Sequence, residues 1–279
     1  MSGIWRGSCL CGTDRSSVRD STAFLILISK TLRDLSNRCN CEMKTKEIKI
    51  HEFEDEADFD SPLYKRTIEH SGIFLARFKR EIDFLLLIKK IGKPHSHSGS
   101  NNYVWDVKPS FGEYSKNVVR SQTMEEFTFH TDCSFEISRP PYVALYVIHE
   151  DTLGGGITRL IDFFDIAPNL DEMMKEILSQ DFKTKIPREF MKDKEYSVAP
   201  IFLEKNRIAY RRECIIESEL SKEKIAVLDN LDTLINHQRP NYSFVLPRNF
   251  VLFLDNTRIL HARTEIKDEN RHLKRVRYF

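Results

Sequence analysis

Short strand-like segments lie on both sides of a stretch with two helix-like segments, and this order restricts the possible folds. The strand-like segments alternate apolar and polar residues or form short apolar runs, which is typical of half-buried or buried strands. Several short strands before and after a helical insertion indicate a β-sandwich or a jelly roll. The predicted strands cover residues 43–53, 72–78, 103–107, 126–130, 142–148, 157–161, 243–245, 250–255 and 276–279, and the predicted helices cover residues 61–70, 79–90, 169–179 and 221–237.

The first 42 residues differ in composition from the rest of the chain. They are rich in Ser, Arg and Cys and contain one helix-like stretch, at residues 21–38. The alternating strand pattern begins at Met43. We therefore expect an N-terminal extension over residues 1–42, whose order the sequence does not define, and one folded domain over residues 43–279.

Four of the six cysteines form two C-x-C pairs within this extension. Cysteine pairs can bind zinc, but the usual spacing within such pairs is at least two residues. No fold signal surrounds the pairs, so free reduced thiols are favoured over a zinc site. The pairs are Cys9 with Cys11 and Cys39 with Cys41, while Cys133 and Cys214 lie further along the chain.

Composition and charge disfavour several classes of function. The formal net charge is +1, so the chain has no basic footprint for nucleic acid. The longest apolar run, residues 23–28, is much shorter than the ~20 residues that span a bilayer, and no cleavage site of a signal peptide follows it. We expect a cytoplasmic protein with a small-molecule substrate, bound to neither membrane nor nucleic acid. The sequence leaves open whether the protein forms a homo-oligomer.

A histidine and an aspartate two residues apart end one strand-like segment: His130 and Asp132. Residues i and i+2 of a strand point to the same face, so both side chains can reach one metal ion. Two histidines and one carboxylate on one face leave three coordination positions open, which non-haem iron(II) oxygenases use for a bidentate co-substrate and O2. Taken alone the motif is weakly specific, because most strand histidines are packed or exposed without a metal.

A second histidine and two arginines lie near the C-terminus. His261 follows the apolar segment at residues 250–255, and its alternative interpretation is a surface histidine at a strand end. Arg271 and Arg275 precede the last strand-like segment. A guanidinium matches a carboxylate in two hydrogen bonds, so either arginine can hold an acidic ligand. Other basic residues lie nearby, so charge alone decides little.

Together, these motifs and their order resemble the taurine-dioxygenase and clavaminate-synthase-like family of iron(II)/2-oxoglutarate oxygenases. The family pattern is H-T-D, then a Gly-Gly-x-Thr turn, then D-N-x-x-x-L-H-x-R-T, then R-x-L-x-R. The resemblance covers roughly residues 43–279 and implies a mainly β fold, a double-stranded β-helix (jelly roll) with flanking helices outside it. The matching residues are His130-Thr-Asp132, Gly155-Gly156-Ile-Thr158, Asp255-Asn256 through His261-Ala-Arg263-Thr264, and Arg271-His-Leu273-Lys-Arg275.

The resemblance also implies a cofactor and a reaction. His130, Asp132 and His261 match the ligands of Fe(II), with 2-oxoglutarate and O2 as co-substrates. The implied products are succinate, CO2 and an oxidised substrate, with hydroxylation of a C–H bond as the default outcome. Related halogenases replace the carboxylate ligand with a small residue. Because Asp132 is retained, halogenation is disfavoured.

Three further positions match residues that bind 2-oxoglutarate in the family. Thr158 matches the residue whose hydroxyl bonds the distal carboxylate, and Arg271 matches its usual ionic partner. Arg275 matches a position that lies closer to the substrate or assists the co-substrate. The division of work between the two arginines varies within the family, and we favour Arg271 for the co-substrate.

The motifs do not specify the substrate. Arg212 and Arg275 can pair an anionic group and Glu136 an amine, so we expect a small charged or amino-acid-like molecule. Glu136 and Arg212 can instead be surface or structural ion-pair residues. A catalytically inactive jelly-roll protein that binds a metal or ligand is the alternative to the enzyme. The predicted substrate-binding residues are Phe129, Ser134, Glu136 and Arg212, and further pocket candidates are Trp105, Ser121 and Phe135.

Overall fold

Two β-sheets form the centre of the protein. The computed structural model describes residues 48–96, 102–110, 119–191 and 193–279. The predicted N-terminal extension, with its paired cysteines and helix-like stretch, lies outside the described residues, as do residues 43–47 of the first predicted strand. Among the described residues, no helix is long and apolar enough to cross a membrane.

The larger sheet has six strands and carries helices on one of its faces. Its strands are β1 (Ile50–Phe53), β2 (Ile73–Phe78), β3 (Trp105–Val107), β5 (Tyr142–His149), β12 (Phe250–Asp255) and β14 (His272–Tyr278). Their spatial order is β1-β2-β12-β5-β14-β3. The pair β1–β2 is parallel, and the other neighbours in this sheet are antiparallel.

The smaller sheet has four antiparallel strands. They are β4 (Phe127–His130), β6 (Thr158–Asp162), β11 (Tyr242–Phe244) and β13 (Ile259–Arg263). Their order is β11-β6-β13-β4, so the central strand β13 lies between β6 and β4. Strand β13 was not predicted from the sequence, because its text Ile-Leu-His-Ala-Arg is short and mixed in polarity.

Apolar residues fill both faces of the larger sheet. On the inner face, Leu75 and Leu252 belong to a buried cluster with Leu160 and Ile259 of the smaller sheet. The outer face packs on α1 (Ser61–Ser71) and α2 (Phe84–Ile91) through a second cluster. Strands with both faces covered consist of continuous apolar runs, and β12 is buried along its whole length for this reason. The arrangement is a jelly roll with helices outside, so the predicted fold class is confirmed.

The insertion between β6 and β11 contains the two predicted helices and two unpredicted hairpins. In one hairpin, β7 (Asp181–Lys185) pairs with β8 (Tyr196–Pro200), which exposes Tyr196 and Val198 and buries Ser197, so its sequence lacks the usual strand pattern. The longest helix begins after Ser221, whose side chain caps it, and it agrees with the helix predicted over residues 221–237. The elements are α3 (Phe163–Ile166), α4 (Glu172–Leu178), β7 (Asp181–Lys185), β8 (Tyr196–Pro200), β9 (Phe202–Leu203), β10 (Arg207–Ile208) and α5 (Lys222–His237).

Candidate active site

The three predicted metal ligands lie together in the smaller sheet. His130 ends β4, Asp132 follows it, and His261 lies in the middle of β13, directly opposite His130 in the strand pairing. The Nε2 atoms of His130 and His261 are 3.8 and 4.0 Å from Oδ1 of Asp132. All three side chains are buried, and their donor atoms lie within 4.8 Å of one another. One metal ion can therefore contact all three.

A β-bulge in β4 turns Phe127 towards His130. His261 pairs with His130 and Arg263 pairs with Phe127, so two steps along β13 correspond to three along β4. The extra residue changes which side chains share a face. As a result, the ring of Phe127 stacks on the imidazole of His130, with 3.8 Å between the ring centroids.

Both histidines are neutral near physiological pH. Burial lowers the pKa of His130 well below its ordinary value, and the neighbouring His261 lowers it further. Burial also lowers the pKa of His261. Nδ1 of His130 donates to the carbonyl oxygen of Thr128 at 2.8 Å, so Nε2 carries the lone pair. That Nε2 atom is buried without a hydrogen-bond partner among the described residues, which fits an atom that binds a metal.

Asp132 is held by two arginines and one asparagine. Nη1 of Arg275 donates to Oδ1 at 3.2 Å, and Nε of Arg277 donates to Oδ2 at 3.0 Å. Burial alone raises the pKa of Asp132, but the two guanidinium groups hold it well below its ordinary value. The side chain of Asn256 binds the main chain of Asp132. The carboxylate is therefore ionised and fixed in orientation.

A cavity beside the three ligands contains a buried cation. Arg271 is 5% exposed, and its Nη1 atom has no hydrogen-bond partner in the part of the chain that the structure describes. Burial lowers the pKa of Arg271 to about 10, so the guanidinium stays charged at neutral pH. An anionic ligand in the cavity would supply the missing partner. The cavity is lined by Val107, Ser121, Phe127, His130, Leu145, Thr158, His261, Ala262, Arg263, Arg271, Leu273 and Arg275.

Arg263 also lines this cavity, but its guanidinium group is already hydrogen-bonded to main-chain carbonyl oxygens. Its guanidinium donates to the carbonyls of Thr123, Glu125 and Thr264. Burial and the nearby Arg271 lower its pKa to about 9. Arg263 thus fixes the segment that precedes β4, whereas Arg271 keeps unused hydrogen-bonding capacity.

The glycines of the Gly-Gly-x-Thr turn leave room for Arg271. A Cβ atom on Gly156 would lie 2.7 Å from Nε of Arg271, and Gly156 has a φ of +59°. A Cβ atom on Gly155 would lie 2.5 Å from Oδ2 of Asp151. The Asp151 carboxylate closes the turn, accepting the main-chain N–H groups of Leu153, Gly155, Lys267 and Asp268. The turn thereby joins the start of β6 to the segment that carries Arg271.

Two predicted substrate residues follow Asp132 closely. Ser134 is 3% exposed, and its hydroxyl has no hydrogen-bond partner among the residues described. Oε2 of Glu136 lies 2.7 Å from Nε2 of His95. Of the further pocket candidates, Ser121 lines the cavity, whereas Trp105 and Phe135 pack on Phe190.

None of the four predicted substrate residues lines the cavity formed by the described residues, and Phe129 and Arg212 make other contacts. The ring centroid of Phe129 lies 5.5 Å from the guanidinium of Arg159, because the bulge turns Phe127 inward in its place. Arg212 forms ion pairs with carboxylates on α5 and in the segment that precedes it. Its guanidinium donates to Glu217, Asp229 and Asp232. This geometry agrees with the alternative interpretation of Arg212 as a structural ion-pair residue.

Sequence reasoning gave no role to Phe127 and Arg277, and quoted Asn256 only as part of a motif. Phe127 was hidden by the bulge, which has no sequence signal here. Arg277 had a usable signal, because it lies two residues beyond Arg275 on the same strand and so shares its face.

Two histidines and a carboxylate inside a jelly roll define a class of non-haem iron oxygenases. The family described as taurine catabolism dioxygenase TauD, TfdA family matches residues 73–277, and this chain belongs to that family. The match includes every residue predicted to bind the metal and 2-oxoglutarate. The predicted family is confirmed, and so is the enzyme class, an iron(II)- and 2-oxoglutarate-dependent dioxygenase.

Solved structures with the same fold are distant in sequence. An asparagine oxygenase in complex with Fe(II), 2S,3S-3-hydroxyasparagine and succinate is 17% identical, with a TM-score of 0.66 over 80% of this chain and 81% of that one. The non-haem iron oxygenase OrfP in complex with Fe and alpha-ketoglutaric acid is 16% identical, with a TM-score of 0.61 over 80% and 81%. A mutant of OrfP in complex with (3S)-hydroxy-L-Arg has a TM-score of 0.63 at 16% identity, also over 80% and 81%. No curated protein sequence matches the chain.

Proposed function

We propose that the protein hydroxylates a C–H bond of a small, amino-acid-like molecule, with His130, Asp132 and His261 as ligands of Fe(II). The observation that carries the proposal is the buried His130–Asp132–His261 group beside a cavity in which two cationic side chains, Arg271 and Arg275, each have an N–H group unpaired among the described residues. Succinate and CO2 are the other products.

The donor set fits Fe(II). Two neutral imidazoles and one ionised carboxylate suit a divalent first-row metal, and three protein ligands leave positions for a bidentate keto acid and O2. Iron supplies the activation of O2 that oxidises 2-oxoglutarate and the substrate. The buried environment of His130 and Asp132 excludes bulk water from these reactants.

Arg271 and Thr158 bind the distal carboxylate of 2-oxoglutarate in this proposal. Both side chains line the cavity, and Nη1 of Arg271 is free to donate. A guanidinium can bind a carboxylate through two N–H groups, while the threonine hydroxyl donates a third hydrogen bond. Arg275 already donates to Asp132 through Nη1, so its Nε is left for the substrate or for the keto-acid end.

The substrate class rests on relatives and on two residues of this chain. The solved asparagine oxygenase and OrfP hold hydroxylated amino acids. Ser134 and Glu136 lie two and four residues after Asp132 and offer a hydroxyl and a carboxylate, and both lie outside the cavity lining formed by the described residues. Such groups suit the amine of an amino acid. Phe129 and Arg212 are not included among the proposed substrate residues, given their observed contacts.

We also propose a cytoplasmic location and a small-molecule substrate in preference to a nucleic acid. Among the described cysteines, Cys133 and Cys214 are both free and buried, which suits a reducing compartment. The formal net charge of +1 gives no general attraction to nucleic acid.

The first experiment is anaerobic addition of Fe(II) and 2-oxoglutarate, followed by visible spectroscopy. Wild-type protein should show the weak charge-transfer band of the chelate, and His130→Ala should abolish it. His149→Ala is the matched control, because His149 is exposed and lies outside the cavity. Absence of the band in folded, iron-loaded wild type would contradict the co-substrate assignment.

Substrate class is tested by succinate release with a panel of free L-amino acids. At least one member should stimulate succinate formation and gain one oxygen atom by mass spectrometry. If the chelate forms but no small molecule is oxidised, the catalytically inactive metal- and ligand-binding protein becomes the better description.

A further inference from the structure

The two carboxylate oxygens of Asp132 have different surroundings. Oδ1 faces the imidazoles of His130 and His261, at 3.8 and 4.0 Å from their Nε2 atoms. Oδ2 accepts a hydrogen bond from Nε of Arg277 at 3.0 Å. Both oxygens therefore accept from a buried arginine, Oδ1 from Arg275 and Oδ2 from Arg277, but it is Oδ1 that faces the other two ligands.

Arg277 is fixed on several sides. It is 1% exposed, its guanidinium lies 4.6 Å from the ring centroid of Phe190, and its carbonyl accepts the main-chain N–H of His95. Its strand pairs with β5, with Arg277 opposite Val143. A long side chain held by a strand, an aromatic ring and a carboxylate has little freedom to move.

Arg277 also balances the charge around Asp132. Burial alone lowers the pKa of Arg277, but the nearby Cys133, Asp132 and Glu136 raise it above its ordinary value, so the guanidinium is charged. Together with His95, Cys133 and Glu136 form a second group of potential metal ligands. Arg277 already places a positive charge beside Cys133 and Glu136. We therefore assign the His95, Cys133 and Glu136 cluster to the surroundings of Asp132 and not to a second metal ion.

Arg277 differs from Arg275 in what it can reach. Arg275 lines the cavity, donates to Oδ1 and keeps its Nε unpaired among the described residues, so it can contact a ligand. Arg277 is not part of the cavity lining that the described residues form, and it donates to the oxygen turned away from the histidines. The hydrogen bond to Oδ2 therefore connects Arg277 to the metal site through Asp132.

We propose that Arg277 is a positioning residue that keeps Asp132 a one-oxygen ligand of the metal. This inference rests on the proposed iron site. A carboxylate can bind a metal through one or both oxygens. If Oδ2 also bound, it would take one of the three positions needed for the keto acid and O2. By holding Oδ2, Arg277 reserves that position.

The test compares Arg277→Gln and Arg277→Lys with a matched arginine elsewhere. Arg258 is a suitable control because it also donates to a buried aspartate, Asp162, through Nε and lies over an aromatic ring, Phe164. Arg258→Gln removes a similar pair in a part of the described fold that does not line the cavity. Fe(II) affinity is measured anaerobically by competition with a chromogenic chelator.

Open coordination positions are measured with nitric oxide, an analogue of O2, by EPR of the Fe(II) and 2-oxoglutarate complex. We expect Arg277→Gln to weaken Fe(II) binding about tenfold or more, as loss of a partner of a metal ligand generally does. Nitric oxide should bind less tightly while the keto-acid band persists. Arg258→Gln should change neither, and Arg277→Lys, which retains the buried charge, should lie between the wild type and Arg277→Gln.

Wild-type Fe(II) affinity and nitric oxide binding in either folded Arg277 variant would overturn the positioning role. Equal losses in Arg258→Gln would do so as well, since they would reflect general destabilisation. Absence of the keto-acid band in wild type would instead be a failure of the proposed function. The Fe(II) affinities would then still decide whether Arg277 orients Asp132.

Discussion

Asn256 and Asp132, 124 residues apart in the chain, bind each other through side chain and main chain. The N–H of Asp132 donates to Oδ1 of Asn256 at 2.7 Å, and Nδ2 of Asn256 donates back to the carbonyl of Asp132 at 2.8 Å. Nδ2 also reaches the carbonyl of Pro140 at 3.1 Å. The end of β12 therefore fixes the backbone of the loop that presents the carboxylate.

Replacement of Asn256 by alanine should weaken both the fold and the metal site. It leaves a buried N–H and a buried carbonyl of Asp132 without partners, which costs about 3 kcal/mol of unfolding free energy. Fe(II) affinity should fall as well, because Asp132 loses its fixed backbone. Chemical denaturation and chelator competition measure the two effects. Asn241→Ala is the control, since Asn241 accepts the N–H of Asp162 in the same way; a similar loss of Fe(II) affinity there would contradict the role of Asn256.

Replacement of Gly156 by alanine should impair 2-oxoglutarate binding selectively. The new Cβ would clash with Arg271, whereas the Cβ of Gly154→Ala meets no atom of the described residues within 4 Å. Both glycines have positive φ values, so both variants share a backbone cost of about 1–2 kcal/mol. We expect a higher dissociation constant for 2-oxoglutarate in Gly156→Ala only, with Fe(II) affinity intact. Titration of the charge-transfer band measures it, and equal constants in the two variants would argue against placement of Arg271 by this turn.

Phe127 and Phe129 should differ sharply when each is replaced by alanine. Phe127 is buried and stacks on His130, so its loss should cost about 3–5 kcal/mol and weaken Fe(II) binding. Phe129 is only partly buried and contacts Arg159, so its loss should cost less and leave the metal site unchanged. Thermal unfolding and chelator competition on both variants provide the comparison. A larger effect of Phe129→Ala on the site would support the original sequence prediction.

Arg212→Ala should affect stability and leave substrate binding unchanged. Its three carboxylate partners form a partly exposed network, and such networks contribute roughly 1 kcal/mol. The KM for the amino-acid substrate should stay at the wild-type value. A KM raised without loss of stability would restore Arg212 as a substrate residue.

Acid should loosen the Gly-Gly turn through Asp151 and Asp268. Burial raises the pKa of Asp151, but four main-chain N–H groups lower it below the ordinary 3.8, and Thr152 and Asn270 lower that of Asp268 to about 2. A depressed pKa in the folded state stabilises the fold above the unfolded-state pKa, and this stabilisation is lost as the pH falls towards the folded-state value. Unfolding temperature should therefore fall more steeply from about pH 4 to pH 2 in wild type than in Asp151→Asn. Parallel curves would contradict this origin.

The fold and the grouping of His130 and Asp132, two of the proposed metal ligands, were accessible from the sequence because they rest on local patterns. Alternation predicts strands, and the spacing of His130 and Asp132 on a strand places both on one face. The strand over residues 276–279 was predicted too short, since β14 begins at His272 in a stretch of basic residues. Of these residues, Leu273 and Arg275 are buried and line the cavity, an environment that the sequence pattern does not reveal.

The substrate side was less accessible because it depends on tertiary contacts. Whether Phe127 or Phe129 faces the site is decided by one extra residue in β4. The sequence of β4 contains no residue that signals this bulge. Whether Arg212 is free for a ligand depends on Asp229 and Asp232, which lie on a helix further along the chain. Such pairings appear only once the elements have packed.

The alternation of charged and apolar side chains along β14 also determines how this strand pairs during folding. Arg275 and Arg277 point to the ligand side, while Val276 and Tyr278 belong to the apolar cluster under the outer helices. A slip of one residue would exchange these two sets and place guanidinium groups among aromatic rings, at a penalty of several kcal/mol per charge. The arginines at the site therefore also specify the register of β14, because a molecule whose last strand pairs out of register is much less stable than the native one.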